Sequence, residues 1–90
     1  MRTPRYTRQF ERDVERAKKR GKTLGKLRII ARALIEGKRL DPLHRDHPLL
    51  GNYRGRRECH IEADWLLIYQ IDRNQIVFER TGTHADLFQK

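Results

Sequence analysis

Three imidazoles, one guanidinium and one carboxylate are the side chains of this 90-residue sequence best suited to chemistry. His47 lies in Asp46-His47-Pro48-Leu49, and His60 in Cys59-His60-Ile61-Glu62-Ala63-Asp64-Trp65. His84 closes the run Arg80-Thr81-Gly82-Thr83-His84. Imidazole moves protons near neutral pH. The planar fork of arginine matches a phosphate with two parallel hydrogen bonds. Serine is absent and Cys59 is the single cysteine, expected in the core, so a serine nucleophile is excluded. Metal-free acid–base chemistry on a phosphodiester remains. RNA carries its own nucleophile there, the 2′-OH, which needs a base, an acid and a cation for the phosphorane.

Each of these residues also has a plainer reading. His84 is expected in the first turn of a helix, where free N–H groups favour an anion; a histidine there is also often structural. Arg80 is expected to converge with His84 across the Gly82 turn, or else to pair with Glu79 or Asp64 on the surface. His60 ends one strand and Asp64 opens the next, so the carboxylate either orients the His60 ring or only caps the turn. His47 sits in a Pro-flanked loop, and His44 reads as solvent-exposed. No metal or cofactor is expected: there is no His-Glu-x-x-His or Cys-x-x-Cys, and Cys59 and His60 point to opposite faces of a strand.

The charge tells where a partner lies. The chain carries +9, and residues 1–45 alone carry fifteen Lys/Arg against five Asp/Glu, while residues 46–90 carry six against seven. That asymmetry exceeds what solubility requires and points to a polyanion bound by the first half. No apolar run approaches the ~20 residues of a membrane span, and no signal-peptide core is present. With one cysteine, the expectation is a cytoplasmic protein that binds no membrane.

The elements that must position these groups follow from periodicity. Residues 2–6 read at best as an edge strand. Thr7 is placed to cap a helix with Phe10, Val14 and Ala17 on one face, stopped by Gly21. Thr23 is placed to cap a second, with Leu24, Leu27, Ile30, Ala31, Leu34 and Ile35, stopped by Gly37. Their outer faces carry Arg12, Arg16, Lys18, Lys19, Lys22, Lys26, Arg28 and Arg32. Residues 38–53 read as a loop. Residues 56–61, 65–71 and 75–80 read as antiparallel strands joined by short turns. The middle strand is apolar on both faces and so central. Thr83-His84-Ala85-Asp86 has capping-box spacing for a short last helix with Leu87 and Phe88. The result is one α+β domain over residues 1–90, order β-α-α-β-β-β-α, with a mostly antiparallel sheet and two N-terminal helices packed on one face.

The strings Asp46-His47-Pro48-Leu49, Gly51, Arg57-Glu58-Cys59-His60, Asp64 to Tyr69, Phe78 to His84 and Leu87-Phe88 closely resemble the YafQ-type toxins of the RelE/ParE superfamily, over nearly the whole chain. The resemblance implies a RelE-like fold and a type II toxin–antitoxin system. It implies a ribosome-dependent endoribonuclease that cuts mRNA in the 30S A site of the 70S ribosome, against rRNA, leaving a 2′,3′-cyclic phosphate and a 5′-hydroxyl. His47, His60, Asp64, Arg80 and His84 match the family's catalytic pattern, and Phe88 and Trp65 its aromatic positions. Phe88 would stack on a base, and Trp65 with Lys18, Lys19, Lys22 and Lys26 would help hold the RNA. The resemblance further implies a cognate antitoxin and operator DNA bound only through that complex. Competing expectations are a ParE-like gyrase-inhibiting toxin, which would lack the nuclease residues, and a non-catalytic RNA- or DNA-binding module, in which His84 would be idle.

Overall fold

The computed structural model describes residues 1–88. Its elements are β1 (Thr3–Tyr6), α1 (Arg8–Lys19), α2 (Leu24–Ile35), β2 (His47–Pro48), β3 (Arg57–Glu62), β4 (Trp65–Asp72), β5 (Gln75–Gly82) and α3 (His84–Phe88). The strands form one sheet in the order β1-β5-β4-β3-β2. β1 runs parallel to β5, and every other pairing is antiparallel. This is the expected α+β order with one strand added.

α1 begins where Thr7 Oγ1 accepts the Phe10 N–H at 2.9 Å. It ends at Gly21, whose φ of 83° lets the Gly21 and Lys22 N–H groups turn back onto Lys18 and Ala17. Gly37, at φ 76°, stops α2 in the same way. Thr23 occupies the N-cap position of α2 but makes no side-chain cap, unlike Thr7. Phe10, Ala17, Leu27, Ile30 and Leu34 pack against Cys59, Trp65, Leu67, Tyr69, Ile76 and Phe78 on one sheet face. The opposite face buries Leu66 and Ile68 under Leu87, with Leu49, Tyr53 and Phe88 around them. β4 is therefore covered on both sides, as its unbroken apolar run requires.

Residues 38–53 depart from a plain loop. Two short 3₁₀ turns, Pro42–His44 and Gly51–Tyr53, flank the two-residue strand β2. Two residues have no readable period, and Pro48 argued against a strand. Pro48 is tolerated because β2 lies at the sheet edge, where no further strand needs its missing N–H. Asp46 anchors this segment by accepting from Arg57 Nε at 2.9 Å and from the Tyr69 hydroxyl.

β1 pairs only with Gln75–Phe78, so the rest of the outer edge of β5 needs other partners. Thr7 Oγ1 donates to the Glu79 carbonyl at 2.9 Å, and Asp13 accepts the Thr81 N–H at 3.1 Å. A helix side chain thus replaces a sixth strand just where the chain approaches Arg80 and His84.

Candidate active site

β2 and β3 bring the first group together. Their register sets His47 opposite Glu58, and alternation along β3 puts His60 on the same face as Glu58. Glu58 is 5% exposed. Its Oε2 lies 2.9 Å from His47 Nε2 and 3.6 Å from His60 Nε2, while Oε1 has no partner among the described residues. His47 Nδ1 meets the Pro48 carbonyl at 3.0 Å. Glu58 is the member of this group that the sequence reading missed, although its two-residue spacing from His60 within a strand was signal enough.

The second group corrects an expectation. Asp64 does not orient His60; it accepts from His84, from Nδ1 at 2.6 Å and from the backbone N–H at 2.8 Å. The β3–β4 turn brings Asp64 to His84 at the end of β5. These two bonds, the backbone one foremost, hold the Asp64 carboxyl below the usual range. With Nδ1 engaged, Nε2 of His84 is left for proton exchange. The His84 ring centroid lies 5.8 Å from that of His60 and 6.3 Å from that of Phe88. All three predicted histidines and Phe88 therefore lie along one face.

The N-terminus of α3 is not an open anion site. Asp64 takes the His84 N–H, and Asp86 Oδ2 takes the Thr83 N–H at 3.0 Å while Thr83 Oγ1 accepts from Asp86 N at 3.0 Å. The expected capping box is thus formed. Arg20 grips the same Asp86 carboxylate at 2.6 and 3.2 Å, tying α3 to α1. A Cβ on Gly82 would lie 2.9 Å from Asp86 Oδ2 and 3.0 Å from its Cβ. We expect Gly82→Ala to break this box, lowering thermal stability by about 1–2 kcal/mol and displacing His84.

Arg20 and the Thr83 bonds hold the Asp86 carboxyl far below its ordinary value. A carboxyl depressed in the folded state stabilises the fold above its unfolded pKa, and this stabilisation fades as pH falls through the acid range below it. Asp86→Asn should therefore melt lower than the wild type at pH 7 and approach it on titration towards pH 2. A constant gap in melting temperature across that range would contradict this.

Arg80 pairs with neither Glu79 nor Asp64. Its Nε donates to Asp13 Oδ2 at 2.8 Å and an Nη donates to Oδ1 at 3.3 Å. Asp13, 2% exposed, also meets Arg16 at 2.9 Å and the Thr81 N–H. Its carboxylate raises the Arg80 pKa, so the guanidinium stays charged. Arg80 shares an open cavity of about 430 Å³ with Asn52, Tyr53, Leu87 and Phe88. Asp13 had no sequence signal, because an acid on the inner side of a cationic helix declares a partner only in three dimensions.

Other expectations change. Trp65 is no substrate platform: it is 1% exposed, with Nε1 donating to Thr81 Oγ1 at 2.9 Å, and offers no free ring face to a base. Lys22 and Lys26 are not free cations, since both reach Glu62, at 2.9 and 2.8 Å. Lys18 and Lys19 remain exposed. His44 is half-buried, with Nδ1 against the His60 carbonyl at 2.7 Å, and so supports the strand that carries His60. Cys59 is buried as expected, and burial pushes its thiol up to about 12, which makes it inert.

Residues 2–89 match the family model for YafQ, the bacterial toxin of type II toxin–antitoxin systems. The chain belongs to the YafQ toxin family. The mRNA interferase toxin YafQ of Escherichia coli K12 is 44% identical over 84 residues, which cover 92% of this chain and 91% of that protein. The E. coli DinJ–YafQ complex superposes with a TM-score of 0.92 at 43% identity, over 98% of this chain and 99% of the matched one. A metal-bound toxin from Helicobacter pylori superposes equally well, at 0.92 with 36% identity, over 98% of this chain and all of that one. Among the described residues of this YafQ-family chain, no helix is long and apolar enough to cross a membrane.

Proposed function

We propose that this chain is an mRNA interferase, an endoribonuclease toxin neutralised by a cognate antitoxin in the bacterial cytoplasm. One observation carries the reading: a His84–Asp64 pair stands beside a His47–Glu58–His60 cluster, with Phe88 on the same face. The names of the E. coli relatives support the activity and the partner class.

The 2′-OH of the substrate attacks the adjacent phosphorus and gives its proton to the His47–Glu58–His60 unit. His84 Nε2 protonates the departing 5′-oxygen, with Asp64 holding the ring in line. Arg80, kept charged by Asp13, neutralises the phosphorane, and Phe88 stacks on a neighbouring base across the Arg80 cavity. The products are a 2′,3′-cyclic phosphate and a 5′-hydroxyl, and no step needs a metal. Lys18, Lys19 and the basic outer faces of α1 and α2 meet rRNA in the 30S A site, so mRNA is cut during translation. Operator DNA is reached only through the antitoxin complex.

The test is to induce the chain in bacteria, with and without its antitoxin, and to map mRNA 5′ ends by primer extension. Growth arrest with discrete in-frame cuts, both suppressed by the antitoxin, is the expected result. Arrest with DNA damage and intact mRNA would move the chain to gyrase inhibition.

A further inference from the structure

β2 by itself gives His47 little hold. The strand is two residues long at the sheet edge, and it pairs with β3 only through His47 and Pro48, of which Pro48 has no N–H to give. The His47 side chain is 47% exposed, so close packing does not fix the ring either. Its contacts to Glu58 and to the Pro48 carbonyl orient the ring without fixing the backbone beneath it. A proton acceptor needs placement to within about half an ångström.

The missing constraint comes from the other face of the sheet. Cys59 and Tyr69 belong to the core beneath the helices, and Arg57 stands opposite Tyr69 in the β3–β4 register. Alternation along the edge segment turns Asp46 to this face and His47 to the other. There Asp46 accepts from Arg57 Nε at 2.9 Å and from the Tyr69 hydroxyl. Tyr69 is 1% exposed in the central strand β4, so its ring is fixed by packing on all sides. Burial foremost, and the Asp46 carboxylate next, push the Tyr69 hydroxyl above its ordinary pKa, so it stays a donor throughout the neutral range.

We infer that Tyr69 is a positioning residue for RNA cleavage, its hydroxyl setting the place of His47 on the opposite face of the sheet through Asp46. Asp46 and His47 are chain neighbours, so a carboxylate pinned to β3 and β4 pins the backbone that carries the imidazole. Tyr69 is buried and cannot reach the RNA, so any effect of its hydroxyl on the reaction passes through this contact. Phenylalanine would fill the same core volume, so packing alone does not call for the hydroxyl. The effect on cleavage rests on the nuclease reading, whereas the placement of His47 does not.

The experiment compares the full chain with Tyr69→Phe in three readouts. The melting temperature should fall by only about 4–8 °C, the effect of one hydrogen bond in a domain of this size. On programmed ribosomes kcat should fall about 10- to 100-fold with KM unchanged, the signature of a misplaced reacting group. In a His47→Ala background the same substitution should cost nothing further. Without RNA, the ring-proton NMR signals of His47 should move in Tyr69→Phe, while those of His84, held by Asp64, stay in place. Asp46→Asn should move the same signals; Asp46 is 23% exposed, so this variant folds even if Tyr69→Phe does not. Unmoved His47 signals, or an equal rate loss with and without His47, would overturn the inference. If the wild type cuts no RNA but the His47 signals still follow the Tyr69 hydroxyl, the nuclease reading fails and the placement of His47 by Tyr69 stands.

Discussion

His84→Ala should slow RNA cleavage by about 10²- to 10⁴-fold, the contribution of one positioned proton donor, while the protein melts close to the wild-type temperature. The ring is about half-exposed, and its one hydrogen bond goes to a carboxylate that is more exposed still, so removing it unburies little. The backbone N–H of residue 84 keeps its bond to Asp64 in the variant. Single-turnover cleavage on programmed ribosomes separates this chemical step from binding. The loss belongs in the rate constant and not in the RNA concentration needed for half-saturation. Asp64→Asn should lose less, because the amide still accepts from Nδ1 and sacrifices only charge. A His84→Ala variant that cuts within tenfold of the wild type would remove His84 from the reaction.

Asp13→Ala should destabilise the fold by about 3 kcal/mol, the range for breaking a buried pair from one side, and should weaken cleavage as well. Asp13 is 2% exposed and accepts from Arg80, Arg16 and the Thr81 N–H. Its removal leaves a buried backbone donor without a partner and frees Arg80 to turn towards solvent. For a domain of this size, 3 kcal/mol corresponds to a fall in melting temperature of more than about 10 °C. The activity effect has its own control. In an Arg80→Ala background, Asp13→Asn should change the cleavage rate little, because the group it positions is already gone. Additive rate losses would show that Asp13 acts on the fold alone.

The order of the elements was readable because each has a local physical cause. The apolar spacing and glycine stops of α1 and α2, the two-faced apolar run of β4 and the Thr83–Asp86 box all act within a few residues of themselves. The expectation of acid–base chemistry rests on residue type alone, on histidines, an arginine and a basic half. β2 escaped notice because two residues carry no period, and Thr23 carries a cap residue's identity without the cap bond.

The sequence by itself determined the fold class, and it supplied the five groups proposed for phosphodiester chemistry and the charge asymmetry from which a polyanionic partner is expected. The tertiary structure alone decided the pairings among those groups. Asp64 serves His84 instead of His60, Asp13 holds Arg80 from a different element, Glu58 joins His47 across two strands, and Trp65 is withdrawn into the core. Pairing depends on sheet register and on which side of an edge a helix lies, and these are set by packing between residues up to 72 positions apart. No local pattern encodes such distances, so the residues can be read from the chain but their partners only from the fold.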